Sequence, residues 1–240
     1  MRRRVGTPGM AGIGLVSALG PGSGSAAVMG GGAAGWWEVA GKTCVAAYQP
    51  KGAADLATSY INLANPGVNN AAPVGAAPTW DVVNGWKFDH TVPQALDTTV
   101  TGLGISWTII VQFSNHIAGA AAYYLTGVQS TTAQWFAFGS SYFATRRYFN
   151  NANMNAGAGA LSGNIALAGL NAYFNGAPDG VVGGAGFTGA MNASVYIGAG
   201  SNLAGAVSNP STFYAQAYAM YSGTLVAGDV AALRLRMVAL

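Results

Sequence analysis

The stretch from Asn164 to Gly200, NIALAGLNAYFNGAPDGVVGGAGFTGAMNASVYIGAG, constrains the fold more than any other part of the chain. Two short apolar runs, Ile165 to Leu170 and Ala193 to Ile197, flank Ala172-Tyr173-Phe174-Asn175-Gly176. Asn-Gly after an aromatic pair is a strong local signal for a tight turn between antiparallel strands. In Ser194-Val195-Tyr196-Ile197-Gly198 the apolar period is two, so Val195 and Ile197 face one way while Ser194 and Tyr196 face the other. Helix should be scarce. Glycine costs about 1 kcal/mol per helical position and glutamate is a favoured helix former, yet the chain has 36 glycines and a single glutamate, Glu38.

A chain of 240 residues buries one large core without needing a second domain. The expected organisation is a Gly/Ala-rich arm, residues 1–35, followed by one domain, residues 36–240. Charged residues make up 7% and hydrophobic ones 51%, so Ser, Thr, Asn, Gln, Gly and Ala must cover most of the surface. Such a surface suits partners better than free solution. The net charge of +3 comes partly from Arg2, Arg3 and Arg4, and the other basic residues are scattered. Without a basic stripe, nucleic acid is not an expected partner, nor is a membrane. The lone Cys44, with only His90 and His116 elsewhere, gives neither a disulfide nor zinc-type spacing and reads as a small buried hydrophobe.

The arm opens on three arginines and carries a mildly apolar stretch, Ala11 to Leu19, broken by Gly12 and Gly14. Its charge order resembles that of a signal peptide, but the apolar core is short. Gly-rich chain loses much entropy on ordering, so the arm is expected to be held by neighbouring subunits of an assembly, with Arg2 to Arg4 finding acidic or carbonyl partners there. Trp36 and Trp37 end the arm, and Thr43 to Tyr48 reads as the first strand. Asn84-Gly85 leads into a strand, and Thr91 to Thr98 reads as a connector. Ser106 to Ser114 is the clearest strand, with Trp107, Ile109, Val111 and Phe113 on one face and Trp107 expected in the core. Short runs at Tyr123 to Val128, Gln134 to Gly139, Tyr142 to Phe149 and Thr212 to Tyr221 complete an all-β pattern, a two-sheet antiparallel sandwich or jelly roll. One helix is expected, Ala227 to Val238, with Leu225, Val230, Leu233 and Met237 sharing a face.

The order Trp80, Asn84-Gly85-Trp86-Lys87-Phe88-Asp89, Ser106-Trp107-Thr108-Ile109, Ala172-Tyr173-Phe174-Asn175-Gly176, Tyr196-Ile197-Gly198 and Ala219-Met220-Tyr221-Ser222-Gly223-Thr224-Leu225 before a short helix resembles the concanavalin A-like, laminin-G-like jelly roll over Thr43 to Leu240. The resemblance implies packed sheets, with sugar or partner binding at the rim or on one face. The segment Tyr48-Gln49-Pro50-Lys51-Gly52-Ala53 is also similar to bacteriophage proteins carrying this module. On that resemblance the expected function is a non-enzymatic structural or attachment protein of a phage virion, binding other virion or capsid subunits, oligomeric, and a candidate binder of surface glycans. A secreted, extracellular carbohydrate-binding module is the alternative.

Glycoside hydrolases on this fold need two carboxylates about 5 to 9 Å apart, usually at alternating positions of one strand. Glu38, Asp55, Asp81, Asp89, Asp97, Asp179 and Asp229 offer no such spacing, so catalysis is not expected. Asp89 and Asp179 read as turn residues rather than calcium ligands, and no metal or cofactor is assigned. The candidate binding stretch is Trp135 to Asn155, with Trp135, Tyr142, Arg146, Arg147, Tyr148 and Asn150 as its principal residues. Aromatic faces with amides suit a pyranose, and Tyr, Trp and Arg equally suit a subunit interface, which the sequence favours. Deleting residues 1–35 should leave the domain folded, seen as an unchanged melting temperature, while weakening incorporation into its assembly. Normal assembly of the truncated chain would refute the role given to the arm.

Overall fold

The computed structural model describes residues 35–117, 123–142 and 145–240, without the side chains of 141 and 142. The arm, including Arg2, Arg3 and Arg4, lies outside the described residues apart from Gly35. In chain order, β1 (Cys44–Tyr48) is followed by a single helical turn, α1 (Leu56–Ser59), then β2 (Ala72–Gly75), β3 (Thr79–Asp81), β4 (Gly85–Phe88) and β5 (Gln94–Asp97). The middle of the chain supplies β6 (Leu103–Gly104), β7 (Thr108–Ser114), β8 (Thr126–Thr131), β9 (Gln134–Tyr142), β10 (Thr145–Asn150) and β11 (Ala152–Ala158). After these come β12 (Gly163–Ala168), β13 (Asn171–Phe174), β14 (Ala177–Val181), β15 (Ala190–Met191), β16 (Tyr196–Ile197) and β17 (Gly200–Ser201). The chain closes with β18 (Val207–Ser208), β19 (Phe213–Tyr221) and α2 (Ala227–Val238).

Two antiparallel sheets form a sandwich. The first runs β14-β13-β12-β7-β19-β4-β3, with β1 joining β19, and the second runs β11-β10-β9-β8-β16-β5-β2. Between them Trp86, Phe88, Ile109, Val111, Phe113, Ile165, Leu167 and Met220 of the first sheet interlock with Leu96, Val128, Phe136, Phe138, Tyr148 and Ile197 of the second. Each such side chain contributes about 1.5–3 kcal/mol by leaving water. The opposite face of the first sheet is buried as well. There Ile110, Ala166, Ala168, Ala217 and Ala219 lie under Leu225, Val230, Leu233 and Met237, so α2 forms a third layer, and Trp36 joins this cluster. Alanines at alternate positions let the helix sit close. Two hydrogen bonds tie the start of the domain to this layer: Tyr221 donates to the Trp37 carbonyl at 2.6 Å and Arg236 to the Glu38 carbonyl at 2.7 Å.

The Asn175-Gly176 turn forms as its residues require, with φ of 50° and 78°, the two positive values of a type I′ hairpin. It joins β13 to β14, with Phe174 opposite Ala177. Gly198 is needed for another reason: a Cβ there would lie 2.3 Å from the Phe88 ring. The helix spans the expected residues and buries the expected face. Three expectations need correction. Thr91 to Thr98 is not a plain connector, because Gln94–Asp97 forms β5 between β16 and β2. Trp107 lies in the turn before β7 and is only partly buried against the core. No strand was expected over 152–158, yet it forms the edge strand β11, which carries Asn153 and Asn155 of the candidate stretch.

His116 is buried between Phe113 and Phe213. Its Nε2 hydrogen-bonds with the Ser211 hydroxyl at 2.8 Å, and its Nδ1 has no partner among the described residues. Burial disfavours the imidazolium and lowers the pKa from 6.5 to about 4. The folded state therefore binds fewer protons than the unfolded one between these values. This contribution to stability is complete above the unfolded value and is lost as pH falls toward the folded one. Urea unfolding at pH 7 and pH 4.5 should show a loss of about 2–3 kcal/mol from this group. His116→Gln should flatten that part of the profile; an equally steep profile in the variant would refute the assignment.

Candidate functional site

The register of β9 against β10 decides which side chains of the polar-aromatic stretch meet. Tyr148 lies opposite Phe138, Phe149 opposite Ala137, and Asn150 opposite Phe136. Successive residues of a strand point to opposite faces, so Phe136, Phe138 and Tyr148 enter the core. Trp135, Ala137 and Phe149 point outward and form a separate cluster with Tyr124. The candidate residues are split by this parity. Arg146, Tyr148 and Asn150 face inward, whereas Trp135 and Arg147 face outward. Tyr142 ends β9, and its side chain lies outside the described residues.

The inward set holds the two sheets together at one edge. Arg146 Nε and Nη2 each donate at 2.7 Å to the two carboxylate oxygens of Asp179, which stands on β14 of the other sheet. The Tyr148 hydroxyl donates to the same carboxylate at 2.8 Å. Arg146 also donates to the Ala158 carbonyl, and its guanidinium lies 4.2 Å from the centre of the Phe174 ring. Both side chains of the ion pair are 12% exposed. The hydrogen bonds to Asp179 raise the Arg146 pKa further, and burial raises that of Tyr148. Asn150 Nδ2 donates to the Gly169 carbonyl at 2.9 Å. The expectation that these residues share an open binding surface is corrected: Arg146, Tyr148 and the Asn150 Nδ2 bond within the fold.

The outward set is different in kind. Trp135 and Phe149 stack with centroids 4.7 Å apart and planes 13° from parallel. Arg147 covers the Phe149 ring at 4.3 Å, and the Tyr124 ring meets both aromatics edge-on. Gly139 lets the chain cross beside this cluster, since a Cβ there would sit 2.1 Å from the Tyr123 carbonyl oxygen. Around the stack stand amides: Gln129 lies opposite Trp135, Asn153 opposite Phe149 and Asn155 opposite Arg147. Asn153 and Asn155 are exposed, and neither side-chain amide makes a hydrogen bond with the described protein. An apolar ring surface bordered by free amides is suited to a ligand with both C–H faces and hydroxyls. Phe149 and Tyr124 were not among the sequence candidates. Strand parity applied to the run Tyr142 to Phe149 would have found Phe149, since it shares a face with Arg147.

The carboxylates are occupied elsewhere. Asp55 caps α1, where hydrogen bonds from Thr58 lower its pKa. Asp81 accepts from the amides of Val83 and Asn84, Asp89 from Thr91, Asp97 from Thr99, and Asp229 from Val226. Among the described residues no group of three His, Cys, Asp or Glu side chains is arranged to hold a metal. Cys44 is a half-buried thiol whose pKa is pushed up to about 12 by burial, which leaves it unreactive at neutral pH.

No protein-family model and no curated protein matches this sequence. Solved structures do. A mutant Trypanosoma rangeli sialidase displaying trans-sialidase activity aligns over 82% of this chain and 33% of its own, with a TM-score of 0.54 and 15% identity. The sialidase from that organism bound to 2,3-difluoro-KDN aligns over 80% and 32%, with a TM-score of 0.55 and 15% identity. Domain 4 of AbnA, a GH43 extracellular arabinanase of Geobacillus stearothermophilus, in complex with arabinotriose, aligns over 80% of this chain and 98% of its own, with a TM-score of 0.50 and 12% identity. The chain thus spans about a third of the sialidases' length. At these identities the likeness is one of fold, a jelly-roll-like β-sandwich also found in carbohydrate-active proteins.

The two arginines should separate in stability measurements. Arg146→Ala leaves Asp179 without its ion-pair partner and should cost about 2–4 kcal/mol in urea unfolding. Arg147→Ala removes an outward side chain and should cost less than about 1 kcal/mol. Equal costs would contradict the split by parity.

Proposed function

We propose that this chain is a non-catalytic carbohydrate-binding module that attaches through the outer face of its second sheet. The observation that carries the reading is the exposed pair Asn153 and Asn155, whose side-chain amides have no hydrogen-bond partner among the described residues, beside the Trp135–Phe149–Arg147 stack. Sugar C–H faces pack on Trp135 while hydroxyls take both the donor and the acceptor of each amide. The fold neighbours lend support, one of them a domain in complex with arabinotriose and another a sialidase in complex with sialic acid. The absence of turnover is part of the proposal, supported by the engagement of each aspartate in a turn, a cap or an ion pair.

The narrower form places the module on a phage particle, where the arm contacts other virion subunits and the sheet face meets host glycans. That form is supported by the resemblance of the sequence. A secreted module would present the same face.

Titration calorimetry with arabinotriose and with sialic acid, backed by a glycan array, tests the binding. Trp135→Ala should weaken the best ligand at least about tenfold, and Asn153→Ala with Asn155→Ala should do so without lowering the melting temperature. Unchanged affinity in both variants, or release of reducing sugar by the unmodified protein, would overturn the proposal.

A further inference from the structure

Helix α2 is apolar on the face turned away from the sheet as well as on the face it buries. Val226 just before it is 60% exposed, Leu235 62% and Val238 51%. Ala227, Gly228, Ala232 and Ala239 are exposed between them. The polar side chains of the helix stand at its flanks. Asp229 accepts from the Val226 amide at 3.2 Å, and Arg236 donates to the Glu38 carbonyl. The Arg234 stem lies beside the Asn175-Gly176 turn, 3.5 Å from where a Gly176 Cβ would be. A helix that is apolar around most of its circumference is ordinarily covered on both sides.

We infer that this face pairs with the same face of a second copy, the two α2 helices running antiparallel across a two-fold axis. Charge placement selects this occupant. Asp229 and Arg236 are seven residues apart on one flank, two helical turns, and the midpoint between them lies near the middle of the exposed face. A perpendicular two-fold axis at that midpoint sets Asp229 of each copy opposite Arg236 of the other, both pairs on the same side of the seam. Parallel pairing about an axis along the helices places the two flanks on opposite sides and loses both contacts. Antiparallel pairing also opposes the helix dipoles favourably. Gly228 and Ala232 allow close approach, and Leu235 packs across the axis. A self-complementary patch of this kind is what a two-fold dimer requires.

A 12-residue helix is about 18 Å long, and its face alone buries less than the roughly 800 Å² per partner of a standard interface. The dimer is therefore a weak one, forming as concentration rises or when copies are held side by side. The inference is independent of the glycan proposal, since α2 covers the first sheet and the aromatic stack lies on the second.

Sedimentation velocity of the full chain over a wide concentration range tests it. The expected result is a monomer–dimer equilibrium whose dissociation constant rises at least about tenfold in Leu235→Glu, with an unchanged melting temperature. Asp229→Lys and Arg236→Glu should each weaken the dimer, and the double reversal should restore it. A monomer at all concentrations would overturn the inference, as would a dimer indifferent to Leu235→Glu. A dimer lost on deleting residues 1–34 but retained in Leu235→Glu would assign the contact to the arm and equally overturn it.

Discussion

The sandwich depends on β19 more than on any other strand. Along one side it pairs with β7, and along the other its first half pairs with β4 and its second half with β1. Both of its faces are buried, Phe213, Ala215, Tyr218 and Met220 toward the second sheet and Ala217, Ala219 and Tyr221 toward α2. The irregularity at Gln216, where the register against β7 shifts by one residue, lets a single strand serve these neighbours, since a bulge turns the side chains without ending the pairing. Tyr218 then reaches through the core to hydrogen-bond with Thr126 of the second sheet at 2.9 Å. Layer spacing, helix position and the link between the sheets all converge on these nine residues.

That convergence explains what was legible in the sequence. Long strands with two apolar faces, such as Thr108–Ser114 and Phe213–Tyr221, announce themselves through aromatic and β-branched runs. The Asn175-Gly176 turn and the helix from Ala227 were equally visible, because turn chemistry and a three-to-four spacing are local properties. The second sheet was harder. Gln94–Asp97 holds its place through pairing with β16 and β2, and Ala152–Ala158 is an edge strand of alanine, asparagine and glycine around a single Met154, with little intrinsic preference. Trp107 was over-read because an aromatic next to a strand has the same periodicity whether or not the ladder includes it.

The candidate site shows the same division between composition and geometry. Trp135 and the arginine-tyrosine-asparagine stretch were recognisable as unusual in a chain so poor in charge. Which of them meet was not, because that depends on parity and on a partner 33 residues away, Asp179, with no local mark of its role. One strand thus carries two tasks: alternate residues of β10 secure the edge of the sandwich or furnish its outer surface. Phe149, although nearly enclosed, joins Trp135 to Arg147, so the surface is a stack and not a set of separate contacts.

The position of β19 in the chain has a consequence for synthesis. β1, β4 and β7 all leave the ribosome before their shared partner, and β1 waits from residue 48 to residue 218. Pairings so distant in sequence form slowly. Until the last strand emerges, the nascent chain carries a half-built sheet with two apolar faces and few charges to keep it dispersed, the condition in which unpaired strands find wrong neighbours. A translation pause placed before residue 213 would prolong that exposure, whereas early arrival of the C-terminal segment would end it.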